Sequence, residues 1–263
     1  MILWNSIKYK YLAKAYYWLH QSKLSRPAMV LFRDINNKIA KKKRIAFYSQ
    51  FLKKGDLCFD IGANIGNRTE IFLDIGCPVV AVEPQKECID YMKKKFIDRS
   101  EIIFVQKAID AEIGEKELFM CPVDYTSSMS QEWISALKQS GRCESYDWKQ
   151  VAKVPTTTLD ELISTHGKPA FCKIDVEGFE LNVLRGLTKA IPFLSFEFTQ
   201  ECLDNAKKCI EYLSSLGNPV FNFSYGELME LVLHKWVETS EMIDLLKTVK
   251  ERTSGDIYVR FRD

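Results

Sequence analysis

A chain of 263 residues with 46% hydrophobic and 27% charged side chains can bury one good core and is neither disordered nor fibrous in composition. Its net charge of +2 hides an asymmetry: residues 1–54 carry thirteen Lys/Arg against one acid, Asp34, and the rest of the chain is acidic at −10. No apolar run approaches the ~18 residues of a membrane span, and Lys8, Lys10 and Lys14 interrupt the stretch where a signal peptide would be apolar.

The eight cysteines form no C-x-x-C pair, and His20, His166 and His234 are scattered, so a zinc site is not expected. Reduced, mostly buried thiols in a cytoplasmic protein are the expectation.

Residues 5–24 read as a helix in which Ile7, Tyr11, Trp18 and Leu19 share a face. Pro27 breaks it, and a second helical stretch runs from Met29 to Leu52 through the basic block Lys41-Lys42-Lys43-Arg44. Residues 1–54 thus read as a basic helical extension ahead of a main domain over 55–263. It could cap the core with its aromatics. Its lysines could instead rest on a membrane surface or hold an acidic partner.

Leu57 to Ile61 is a short apolar run that stops at Gly62, the pattern of a buried parallel strand. Gly62 and Gly66 allow a tight turn, and a helix opens at Asn67 or Arg68 with its first N–H groups free for a negative ligand. A second strand, Val79 to Val82, ends at Glu83-Pro84. Glu83 lies 23 positions after Asp60, close to the ~20-residue offset at which an acid meets a ribose hydroxyl. The turn lacks the G-x-G-x-x-G spacing that receives a pyrophosphate, which argues against a nicotinamide cofactor.

The run Phe59-Asp60-Ile61-Gly62-Ala63-Asn64-Ile65-Gly66, followed by Ala81-Val82-Glu83-Pro84, resembles the S-adenosylmethionine site of the FkbM-type methyltransferases. The resemblance implies an α/β fold: the seven-stranded, Rossmann-like class I methyltransferase sheet with helices on both faces. It implies that Asp60, Gly62, Ala63, Asn64, Gly66, Thr69, Glu83 and Pro84 hold the cofactor. By analogy, Lys107 and Ala108, after a third strand Ile102–Val105, border the adenine.

A helix from Lys86 to Phe96 precedes that third strand, and Lys116 to Cys121 reads as a further strand. Residues 121–155 then break the alternation of strands and helices. This insertion reads as a lid or substrate wall, and its Trp133, Tyr146 and Trp148 could hold a sugar face or pack on one another. Thr158 is a helix N-cap with Glu161 at capping-box spacing.

A fourth strand, Ala170 to Ile174, ends in Asp175-Val176-Glu177-Gly178-Phe179-Glu180. Lys173, Asp175 and Glu177 are two apart and extend to one side if the strand stays regular. Three charges there are costly in a purely structural strand, although a paired Lys–carboxylate network would relieve the cost. Lys-Ile-Asp-Val-Glu-Gly-x-Glu is also the second signature of the FkbM-type family. A fifth strand carries Glu197 to the same edge. A helix from Thr199, a strand near Val220, a helical stretch near Ser240 and a last strand from Asp256 complete the chain.

The expected activity is O-methylation of a hydroxyl on a sugar or glycan. Asp175 is the first choice for general base, with Lys173, Glu177 and Glu197 positioning it or the acceptor. A carboxyl near pKa 4 is low for that role, so burial or neighbouring acids must raise it. The alternative places a divalent cation on Asp175 and Glu177, although no further ligand is identifiable. An RNA-directed methyltransferase would use the basic arm, yet the fourth strand lacks the N/D-P-P-Y/F motif of base methylation, so nucleic acid is not the expected partner. A binding module without catalysis is the other rival, against which the intact acids argue.

Overall fold

The computed structural model describes residues 38–121, 127–141, 148, 150–249 and 253–262. The helix expected over 5–24, the start of the second, and Tyr146 and Cys143 lie outside them. The chain divides into two units at 44/45, and everything below concerns residues from Ile45 onward.

Eleven strands run in chain order: β1 (Cys58–Ile61), β2 (Val79–Val82), β3 (Ile102–Val105), β4 (Ala108–Ile109), β5 (Gly114–Met120), β6 (Ser127–Ser128), β7 (Gln150–Thr157), β8 (Phe171–Ile174), β9 (Phe193–Thr199), β10 (Pro219–Tyr225) and β11 (Ser254–Phe261). Seven of them form one sheet in the order β10-β11-β9-β8-β1-β2-β3, parallel from β9 to β3, with β11 antiparallel to both neighbours. This is the sheet that the resemblance implies. β1, β2 and β8 are buried throughout, which is why they read as mainly apolar runs, interrupted only by the buried Asp60 and Lys173.

Successive side chains of each strand feed two separate cores. Phe59, Ile61, Cys172, Ile174 and Phe196 face one side, against α4 (Leu159–His166), α5 (Glu180–Arg185), α6 (Leu203–Ser215) and α7 (Thr239–Leu246). Cys58, Val79, Ala81 and Phe171 face the other, against α1 (Asn67–Ile75) and α2 (Lys86–Lys95). Phe47, Tyr48 and Leu52, expected within the extension, belong to this second core. Tyr48 meets Phe72 and Phe171 edge-on at 5.1 and 5.7 Å, and Phe47 meets Tyr258 at 5.2 Å. Aromatic rings of that size exclude enough water to draw the end of the basic segment into the fold.

The alternation breaks after β3 because the next strands leave the main sheet. They build a four-stranded sheet, β4-β7-β5-β6, in which β5 and β7 pair antiparallel from Gly114↔Thr156 to Met120↔Gln150. The segment expected as a lid therefore supplies β6, the helix α3 (Gln131–Gln139) and β7. Trp133 and Trp148 are buried and meet edge to face at 5.9 Å, so they form the insertion's own small core and offer no sugar platform. Thr156 and Thr157 close β7, and Thr158 caps α4 by accepting from Glu161 N–H at 3.1 Å. No helix among the described residues is long and apolar enough to cross a membrane.

Candidate functional site

The site lies where β1, β2, β8 and β9 end. Gly62 has φ +79°, and a Cβ there would fall 1.8 Å from the Asp175 carbonyl oxygen. Its glycine is thus required by contact between the two signature loops. Gly66 caps α1 with φ +76°, and a Cβ would press on the Phe96 ring and Met92. Between them Asn64 also adopts positive φ, which Asn tolerates better than most residues.

This bent turn points the Asn64 N–H at Glu83. One Glu83 carboxylate oxygen accepts it at 2.9 Å, and the other accepts the Gln85 N–H at 2.9 Å and the Gln85 side-chain amide at 3.3 Å. Glu83 is only 3% exposed, and burial pushes its pKa up while those donors pull it down. Asp60 and Thr69 do not face the opening. They are fully buried and bonded to each other at 2.5 Å, fastening α1 to β1. Ala63 is buried and Pro84 half-buried.

Beside Glu83 opens a cavity of about 480 Å³, lined by Pro84, Gln85, Gln106, Leu118, Met120 and Val154 among others. Lys107 is exposed and Ala108 is paired into β4, so neither lines this cavity. The neighbouring Gln106 does.

Register assembles the second half. Asp60 pairs Lys173, Lys173 pairs Ser195, and Ser195 pairs Tyr258, so a polar row crosses the sheet on the α1 side. Lys173 is not at the edge as expected. It is 1% exposed and donates to Asp256 at 2.7 Å and Asp175 at 3.1 Å. The Lys–carboxylate network therefore exists, and Asp256 on β11 is the partner that the motif does not contain. β11 also carries Ser254 and Arg260, so no break in an apolar run singled out Asp256.

Asp175, Glu177 and Glu197 are each half-buried, with carboxylate oxygens within 4.8 Å of one another, a spacing that could converge on a divalent cation. Burial pushes Asp175 up, but the Lys173 and Arg68 charges hold it below its ordinary value overall, helped by a hydrogen bond with Glu197. Glu197 is driven well above its ordinary value by burial and by the charges of Asp175 and Glu177. The rise expected for Asp175 thus falls on Glu197 instead, because the Lys173 ammonium sits beside Asp175.

The loop that carries them is fixed from three sides. Glu177 and Gly178 both adopt positive φ, +54° and +88°. Glu180 accepts from Gly178 N–H at 3.0 Å and Val176 N–H at 3.3 Å, and Asn205 donates to its other oxygen at 3.1 Å. Ser128 donates to the Glu177 carbonyl at 2.6 Å. Burial raises Glu180 to about 7 against those donors. Glu180, Asn205 and Ser128 were not among the expected site residues, although Glu180 closes the second signature. A groove of about 320 Å³ adjoins the loop at Gly178, lined by Ser130, Glu132, Gln200, Glu201, Asp204 and Lys208 among others.

A profile of the Methyltransferase FkbM domain matches residues 60–246. Among solved structures, precorrin-6y C5,15-methyltransferase from Geobacter metallireducens is 11% identical over 83% of this chain and 87% of its own, with a TM-score of 0.45. Fibrillarin from Aeropyrum pernix, solved with natively bound S-adenosyl-L-methionine, is 11% identical over 84% and 75%, with a TM-score of 0.44. An rRNA methylase from Streptococcus thermophilus is 10% identical over 92% and 100%, with a TM-score of 0.42. No curated protein sequence matches.

Proposed function

The chain belongs to the FkbM methyltransferase family, and we propose that it moves a methyl group from S-adenosylmethionine to a hydroxyl oxygen of a sugar or glycan. The residues fit that cofactor. Glu83 is a buried acid whose oxygens are set by two backbone N–H groups; the oxygen that Asn64 reaches has a lone pair left for a ribose hydroxyl, while the other already accepts both Gln85 donors. An open cavity with apolar walls lies beside it for the base. When bound, S-adenosylmethionine supplies an electrophilic methyl on a sulfonium.

The observation that carries the reading is the cluster of Asp175, Glu177 and Glu197, in which the Lys173 ammonium 3.1 Å from Asp175 holds that carboxylate low while burial and the neighbouring acids push Glu197 up. Asp175 takes a hydrogen bond from the acceptor hydroxyl and aims its lone pair. As the new O–C bond forms, that oxygen becomes strongly acidic, so a carboxylate of low pKa suffices to receive its proton. Glu197 shares a hydrogen bond with Asp175 that helps hold the Asp175 carboxylate in place. The groove beside Gly178 offers hydroxyl, amide and carboxylate groups, which suits a polyhydroxylated acceptor.

The test is calorimetric titration with S-adenosylmethionine followed by transfer of labelled methyl to a panel of saccharides. Glu83→Ala is expected to weaken cofactor binding by about tenfold or more, 1.4 kcal/mol. Asp175→Asn is expected to keep cofactor affinity and lose transfer. Failure of the intact protein to bind the cofactor would sink the reading. A product labile to mild alkali, hence an ester and not an ether, would overturn the hydroxyl acceptor.

A further inference from the structure

Two adjacent hydroxyls of the insertion touch both signature loops. The Gln85 side-chain amide that reaches Glu83 at 3.3 Å also donates to Ser127 Oγ at 3.0 Å. The next residue, Ser128, is 1% exposed, donates to the Glu177 carbonyl at 2.6 Å and accepts the Ser130 N–H at 2.9 Å. Together they are the whole of β6, held against Met120 and Phe119 of β5. Five residues beyond β6, Trp133 seals the same loop, since a Cβ on Gly178 would lie 2.4 Å from its side chain.

We propose that Ser127 and Ser128 are positioning residues that couple occupancy at Glu83 to the 175–178 loop through the insertion; this rests on the cofactor reading above. Of the three donors on Glu83, the Gln85 amide makes the longest bond, and it is the one that a ribose hydroxyl displaces. The released amide then turns wholly to Ser127. That fixes β6, and Ser128 passes the restraint to the carbonyl of Glu177, a residue held at positive φ. The insertion is thereby a reporter of bound cofactor, and the bonds that already hold the acidic loop stiffen further when the methyl donor is present.

Hydrogen-exchange mass spectrometry of the full chain, with and without S-adenosylhomocysteine as probe, tests this. In the intact protein the ligand is expected to slow exchange over 62–66 and also over 127–141. Ser127→Ala and Gln85→Leu are each expected to keep the first protection and lose the second, with ligand affinity falling about fivefold. Ser127→Thr, which retains the hydroxyl, is expected to restore both. Protection over 127–141 that persists in Ser127→Ala, or is missing from an intact protein protected at 62–66, overturns the coupling. Absence of any binding by the intact protein instead overturns the cofactor reading.

Discussion

Lys173→Met removes the ammonium that two carboxylates share while keeping most of the stem's volume. The two losses are unequal. Asp175 is 37% exposed, and its bond at 3.1 Å can be replaced by water, so its share is that of a surface pair, about 0–1 kcal/mol. Asp256 is 7% exposed and bonded at 2.7 Å. Left unpaired in the sheet, it makes the substitution cost about 3–5 kcal/mol. That is a large share of the roughly 5–15 kcal/mol of a whole domain. Urea denaturation at neutral pH reads the loss as a lower midpoint with unchanged slope. Lys173→Met combined with Asp256→Asn should recover much of it, because no buried charge remains, giving a coupling of about 2 kcal/mol. A single-variant cost below about 1 kcal/mol, or a double variant as unstable as the two losses added, would refute the assignment of Lys173 as the counter-charge.

Three further outcomes follow from the same geometry. Glu180, raised to about 7 when folded, binds its proton more tightly folded than unfolded, so its contribution is complete below its ordinary value near 4.5 and is lost as pH rises through 7. Wild-type stability minus that of Glu180→Gln, followed by thermal melts between pH 4.5 and 8, should fall by up to about 1.4 kcal/mol per unit and then level off; a flat difference would contradict the buried carboxyl. Gly62→Ala places a methyl on the Asp175 carbonyl at positive φ, and should cost upwards of about 2 kcal/mol and lower cofactor affinity, whereas a neutral result by calorimetry would show that the two loops can part. Thr158→Ala removes the cap of α4 at a cost of about 1 kcal/mol, read from the urea midpoint, with cofactor affinity unchanged because α4 lies away from Glu83.

Much of this molecule was legible in its residues because the governing interactions are local. Strands of a covered parallel sheet must be mainly apolar, and glycines stand at the tightest left-handed turns. Hence β1, β2, β3 and β8 were placed to within a residue or two, as were α1 and α2 behind their turns. Thr158 with Glu161 announced the start of α4 because a cap is satisfied within three residues. Glu83 was singled out by its distance along the chain from Asp60, which one strand–helix–strand unit determines, and it does stand at the end of β2 beside the glycine turn.

What could not be read depends on which segments meet. Periodicity showed only that alternation stopped after residue 121; pairing of β5 with β7 made that segment a second sheet and folded Trp133 onto Trp148. Aromatics at 47–51 read as part of a basic arm because their neighbours are lysines, yet burial against Phe72, Phe171 and Tyr258 outweighs local charge. Asp256 joins Lys173 across 83 residues, through antiparallel pairing that no local pattern encodes. The tuning of the acids followed from that meeting: an ammonium beside Asp175 holds it low, and burial with the neighbouring acids pushes Glu197 up. Sequence by itself determined the strand–turn–helix units and the residue types that end them. Tertiary structure alone decided which acid sits beside which charge, because carboxylate pKa values are set by neighbours in space and by exclusion of water.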